Sequence, residues 1–173
     1  MNSPSSSLGP SIWAVSDGRA GNAAQVRAVI AALSEPQRWL QIGHIDGHGH
    51  RADPITLTPR VPWTWLPGAD WPVPQLALPK SQRQHLSGPW PSLWIAAGRR
   101  SAPYTAAVRG WSGHKTFTVQ ILDPKSDPDK FDLVIVPEHD LLDGPNVIRT
   151  TGSPTHFSGD AIEETGQAFA DLA

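Results

Sequence analysis

Hydrophobic and polar positions along this chain follow two different patterns. Residues 11–16, Ser-Ile-Trp-Ala-Val-Ser, make a short apolar run that predicts a buried strand. The turn Asp17-Gly18-Arg19-Ala20-Gly21 follows. Val26, Val29, Ile30 and Leu33 then recur at i, i+3, i+4 and i+7, one apolar helix face, with Asn22 as the expected N-cap and Pro36 closing the region. Residues 38–43 predict a second strand. Strand, glycine turn, helix, strand is the grammar of a parallel sheet.

Residues 53–91 interrupt it. They hold 9 of the 18 prolines together with Trp63, Trp65, Trp71 and Trp90. Proline excludes a central strand or an ordinary helix interior there. Weak helical character near 80–87 aside, the segment reads as a surface wrap anchored by large rings. No P-x-x-P array with basic flanks marks it as a ligand of proline-recognition modules.

The first pattern then resumes. Residues 92–97 predict a strand ending in Gly98-Arg99-Arg100, with Ser101 as an N-cap and Pro103 in the first turn of a helix to about Gly110. Residues 116–121 alternate and are β-branched, a strand that Asp123-Pro124 turns away. The run 131–136 predicts a strand covered on both faces, followed by Glu138-His139-Asp140. Residues 146–150 predict a last strand, and 158–172 a closing helix through Ile162, Phe169 and Leu172. The expected fold is a three-layer, Rossmann-like α/β domain with a mostly parallel sheet over residues 11–173, preceded by a disordered, Ser-rich tail at 1–10.

Composition narrows the function classes. Of 173 residues, 39% are hydrophobic, and Leu, Ile, Val and Phe make up only 22%, a thin core for the length. Without cysteine there is no disulfide framework, Cys-ligated metal or Cys nucleophile. Residues 1–10 lack the basic and apolar regions of a secretory signal, and no apolar run approaches the ~20 residues of a membrane span. The net charge of −2 hides a polarity: residues 1–115 carry 11 Lys/Arg against 5 Asp/Glu, residues 116–173 carry 3 against 11. The basic part is mostly arginine, suited to bidentate contacts with phosphate or carboxylate.

In an open parallel sheet, ligands gather where strand C-termini feed helix N-termini. Three candidate groups fall there. The first is Asp17, Gly18, Arg19, Gly21 and Asn22, where glycines permit close backbone approach and a helix N-terminus attracts an anion. It matches neither G-x-G-x-x-G nor a Walker A motif, so no nicotinamide or ATP cofactor is expected. The second is Gly98, Arg99, Arg100 and Ser101. Two arginines at a helix start oppose the dipole, which fits an anion clamp; the alternative is pairing with an acid such as Asp123 or Glu138. The third joins the expected ligand contacts Gln120 and Asp123 to Glu138, His139 and Asp140, candidates for general acid–base work, with a polar strand cap as the plainer reading.

The stretch from Gly43 to His50 holds three histidines and an aspartate, enough imidazole to bind zinc, nickel or copper. Its glycines offer no ordering scaffold, so no metal site is expected there. Hydrolase elbow, zincin, kinase and EF-hand motifs are all missing, and with the aromatics in a Pro-rich segment and a slightly acidic net charge no nucleic-acid partner is expected.

Taken in order, several of these motifs resemble one family. They are Trp13 through Asn22 with Gln25, the Pro/Trp segment around Trp63 and Trp71, Pro89-Trp90-Pro91, and Ile95 through Ser101. They continue with Thr116 through Gln120 and Asp123-Pro124, Phe131 through Val134, Pro137 through Asp140, and Gly144 through Val147 with Thr151-Gly152. Together they are similar to the mitochondrial fission Elm-type (elongated-mitochondria) family, found in bacteria and plants.

The resemblance implies a glycosyltransferase-B-like architecture, two Rossmann-like domains facing a cleft. Bacterial members are labelled as sugar-nucleotide enzymes. Plant members act at the mitochondrial outer surface and recruit a dynamin-related protein. Gly18, Arg19, Gly21 and Asn22 match the first motif, Arg99, Arg100 and Ser101 the second, and Glu138, His139 and Asp140 the third. The His-rich stretch lies outside the pattern. Family members continue into a second domain, which supplies most of the donor site in glycosyltransferase-B enzymes, so this chain is expected to be the acceptor-side half and inactive alone. Its expected ligand is an anionic, sugar- or lipid-linked molecule such as a sugar nucleotide. The alternatives are a non-catalytic adaptor that docks a dynamin-like or envelope protein through the segment 53–91, or an inactive fragment. A cytoplasmic location, at most peripheral at a membrane surface, goes with each.

Overall fold

A computed structural model describes residues 11–34 and 54–152. Strand β1 (Ile12–Ser16) leads into helix α1 (Ala20–Ser34), and the chain re-enters at strand β2 (Ile55–Thr56). A series of short 3-10 turns and the one-turn helix α2 (Lys80–Arg83) follow. The remaining elements are β3 (Leu93–Ala97), α3 (Ala102–Trp111), β4 (Phe117–Ile121), β5 (Leu133–Pro137) and β6 (Val147–Thr150). The six strands form one sheet in the order β2-β1-β3-β4-β5-β6, every neighbouring pair parallel. This is the expected three-layer, Rossmann-like α/β fold. The predicted strand 38–43, the histidine stretch and the closing helix 158–172 lie outside the described residues.

The pleat divides the core. Ile12, Ala14, Ile95, Ala97, Val119 and Ile121 point to one face, where α1 covers them through Val26, with Val29, Ile30 and Leu33 packed alongside. Val15, Ile55, Trp94 and Ala96 point to the other, against Tyr104 and Val108 of α3. The Pro/Trp segment completes that second layer, burying Leu57, Trp71, Ala77, Leu78 and Leu86 in the same cluster. Its rings interlock with the layer beneath: Trp71 meets Trp63 at 5.6 Å and the edge of Tyr104 at 5.9 Å. Burial pushes the Tyr104 hydroxyl's pKa up.

Four expectations are revised. Strand β2 lies inside the segment where proline argues against strands. It is two residues long and among the described residues pairs only with β1, a position where Pro54 on one side and Pro59 on the other disturb no bond of that ladder. Asn22 is not an N-cap: α1 begins two residues earlier, and the Asn22 amide instead donates to Asp17 Oδ1 at 2.8 Å. Ser101 precedes α3 as predicted but caps nothing with its side chain, because its hydroxyl donates to the Gly98 carbonyl at 2.7 Å. In β5, Val134 and Val136 are buried while Leu133 and Ile135 are only half-buried, so the second face is partly open.

Candidate functional site

All six strands are parallel, so their C-termini share one edge. The register aligns Thr56, Ser16, Ala97 and Ile121 across β2, β1, β3 and β4. The next residues, Leu57, Asp17, Gly98 and Leu122, therefore begin the loops that line the edge. Strand order departs from sequence order at β1 and β3, whose neighbouring loops leave toward opposite faces. That is the switch point at which such sheets bind ligands.

The two loops touch at Gly98. Its φ is +95°, and an added Cβ would sit 2.2 Å from Asn22 Nδ2 and 2.9 Å from Asp17 Oδ2. Only glycine fits, for both reasons. Asp17 is buried here and closes the first loop from within: Oδ1 accepts the Arg19 N–H at 3.2 Å as well as the Asn22 amide. A carboxylate already occupies the mouth of α1, which weakens that helix terminus as an anion site. Gly18, at φ +87°, makes the turn, whereas a Cβ on the exposed Gly21 would meet nothing. The Arg19 guanidinium lies 4.0 Å from Asp17 Oδ2 and is mostly exposed.

The second loop is held rigidly from below. The Gly98 carbonyl accepts from Ser101 N–H, Ser101 Oγ and Gln120 Nε2, at 3.1, 2.7 and 3.1 Å. Gln120 is fully buried, and its Oε1 accepts from Thr105 Oγ1 at 3.1 Å, the same hydroxyl that takes the Trp94 indole N–H at 3.2 Å. Gln120 therefore positions the loop rather than reaching the cleft. Above this support stand Arg99, exposed, and Arg100, half-buried. Among the described residues neither has an acidic partner. Pairing with Asp123 or Glu138 is not observed: Asp123 Oδ2 meets Lys125 Nζ at 2.5 Å, and Glu138 Oε1 accepts from Thr151 Oγ1 at 3.1 Å. The first turn of α3 carries no acid either.

The third group follows β4 and β5. Leu122 adopts φ +70° and Lys125 φ +53°, unusual for non-glycine residues, and the resulting tight turn aims Asp123 back at Lys125. The hydrogen bond that the Lys125 ammonium donates to Asp123, with that carboxylate's charge, pushes the ammonium's pKa up; Asp140 adds to this and Arg99 opposes it. Glu138 and His139 are exposed and Asp140 is half-buried. Consecutive turn positions send the three side chains apart, and Glu138 bonds Thr151 rather than His139. Among the described residues, no group of three or more His, Asp or Glu could hold a metal ion.

Sequence reasoning missed three participants. Lys125 takes the acid expected to meet an arginine. Asp132 sits inside the apolar run 131–136. Its Oδ1 accepts from Arg109 Nε at 2.8 Å and its Oδ2 from Thr118 N–H and Oγ1 at 2.8 and 2.9 Å. Burial pushes its carboxyl up, but Arg109 and Thr118 outweigh that and hold it below the usual range. The third is the Pro/Trp segment itself. Thr58 lies beside Gly18, and a Cβ on Gly68 would come within 3.1 Å of the Lys125 carbonyl, so residues 58–68 run along the edge from β2 to β4. Trp65 stands there 76% exposed, while Trp71 is buried and Trp63 and Trp90 are half-buried. A separate cavity of about 510 Å³ opens on the outer side of α3, lined by Asp70, Trp71, Pro103, Arg109 and Lys130 among others, and no expected site residue borders it.

The family model described as Mitochondrial fission ELM1 matches residues 20–173. No curated protein and no solved structure matches the chain.

Proposed function

The chain belongs to the mitochondrial fission ELM1 family, and from that premise we propose that it is the acceptor-side domain of a glycosyltransferase-B-like protein, binding an anionic, sugar- or lipid-linked ligand at the β1–β3 switch point. One observation carries this reading. Among the described residues, Arg99 and Arg100 stand without acidic partners on a loop whose backbone is fixed by Ser101 and Gln120. A rigid support under two unneutralised guanidiniums removes most of the ordering cost of clamping a phosphate or carboxylate. Gly98 and Gly18 keep the floor low, and the α3 N-terminus, free of acids, adds its partial charge. Glu138, His139 and Asp140 follow β5 further along the edge, two carboxylates and an imidazole of the kind that general acid–base work uses. Their catalytic role is part of the proposal.

Differential scanning fluorimetry with glucose 1-phosphate tests the anion site. Wild-type protein should gain thermal stability, by about 2.7 kcal/mol at a hundredfold excess over Kd. Arg99→Ala and Arg100→Ala should abolish the shift while leaving the ligand-free melting temperature unchanged. A shift of undiminished size in both variants would reject the arginine assignment.

A further inference from the structure

Among the described residues, five of the nine exposed large hydrophobic side chains fall in one stretch of the chain. Val61, Trp65, Leu66, Val73 and Leu76 all belong to the stretch 61–76 and range from 36% to 76% exposed. Two contacts gather them. Arg60 N–H donates to the Ala77 carbonyl at 2.9 Å, which brings Val61 alongside Leu76, and the Trp63–Trp71 ring contact brings the turn carrying Trp65 and Leu66 alongside Val73. The stretch is fastened at the sheet edge by Thr58 beside Gly18 and by Gly68 beside Lys125. Between those anchors it passes the end of β3, on the same side of the sheet as α3, where Ala69 packs with Ala102 in the first turn of that helix. The stretch carrying Val61, Trp65 and Leu66 thus shares the sheet edge that holds the loop of Arg99 and Arg100. Arg60 and Lys80 are exposed on either side of this stretch, whose one acid, Asp70, is paired with Lys130.

A proline-rich apolar stretch with an exposed tryptophan, on the edge that also carries two arginines with no acidic partner among the described residues, matches an amphiphile: an apolar body in front of an anionic head. We propose that this rim docks on an anionic bilayer, with Trp65 and its neighbours entering the interface and Arg99 and Arg100 meeting a lipid phosphate. Charge complementarity identifies the partner. Cations dominate the β1–β3 part of the edge, and the acids Glu138 and Asp140 sit further along it, beyond β5. Tryptophan is favoured at the headgroup level, and basic residues near the surface add attraction to anionic lipid. Among the described residues no helix is long and apolar enough to cross a membrane, so the contact is at the interface. This inference rests on the anion-binding reading and assigns its ligand to a lipid.

Co-sedimentation with phosphatidylcholine vesicles, with and without phosphatidylglycerol, tests it. The wild-type chain should sediment with the phosphatidylglycerol vesicles, weakly with phosphatidylcholine alone, and less as salt rises. The double variant Trp65→Ser, Leu66→Ser should bind at least about tenfold more weakly. Its melting temperature reports whether the fold is kept, and its stabilisation by glucose 1-phosphate reports the arginine loop separately. Wild-type protein left in the supernatant with anionic vesicles, or a double variant that sediments like wild type, overturns the lipid assignment. If the glucose 1-phosphate shift persists in either case, the anion site stands. If vesicles bind through Trp65 but Arg99→Ala and Arg100→Ala change nothing, the arginine reading fails instead.

Discussion

The two halves of the sheet treat charge in opposite ways. Along β4, β5 and β6, cations and acids neutralise one another: Arg109 with Asp132, Lys125 with Asp123, Lys130 with Asp70, Arg149 with Asp143. At the β1–β3 junction Gly98 lies hard against Asn22 and Asp17, yet among the described residues Arg99 and Arg100 have no acidic partner. Among the described residues, charges are paired in one half while two arginines on a rigid loop in the other are not, and that contrast supports the proposed anion site at the junction. The β1–β3 half is held together by shape, the β4–β6 half partly by electrostatics.

That contrast can be broken experimentally, beginning where the effect is largest. Trp71→Ala should remove the central ring of the layer over β1 and β3 and cost about 3–5 kcal/mol, measured by urea denaturation. A loss below ~1 kcal/mol would mean the Pro/Trp segment does not hold the layer. Next, Gly98→Ala should cost about 2–4 kcal/mol, because the new Cβ must displace Asn22 and adopt φ +95°. A variant as stable as wild type would show that the two loops do not meet.

On the electrostatic side, Asp132→Asn should cost about 1–3 kcal/mol near neutral pH. Because the folded carboxyl titrates below its unfolded value, its contribution is fully present above about pH 4 and is lost as pH falls through the folded value. Melting curves of wild type and variant should therefore converge in acid. A gap that stays constant down to pH 2 would show that the carboxylate's charge is not what stabilises. The smallest effect belongs to Lys125→Ala, an exposed pair expected to contribute under ~0.5 kcal/mol and less at high salt.

Much of the fold was legible because its signals are local. The apolar runs at Ile12–Ser16, Leu93–Ala97 and Phe117–Ile121, each followed by a turn, locate strands to within a residue or two. Strand β2 was not, since two residues between prolines carry no periodicity and become a strand only through the bond of Leu57 N–H to the Ser16 carbonyl and their pairing with β1. The positions of candidate site residues at strand ends could be read in advance; their partners could not. Gln120 looks like a ligand contact in the sequence and lies in the interior, because a strand residue's neighbours across the pleat set its burial. Asp132 was hidden for the converse reason: a polar residue in an apolar run draws notice only once Arg109, 23 positions earlier, is beside it.

By itself the sequence determined the alternation of strand and helix, the glycine turns, the charge polarity and the family resemblance, all properties of neighbouring residues or their order. Tertiary structure decided which side chains face one another. It aligned Ser16 with Ala97 so that Gly98 meets Asp17 and Asn22. It assigned Asp123 to Lys125 and left Arg99 and Arg100 bare, and it turned Trp71 inward and Trp65 outward from one proline-rich stretch. Each of those outcomes depends on a close fit in space, in several cases between groups far apart in sequence, which no local pattern of residues encodes.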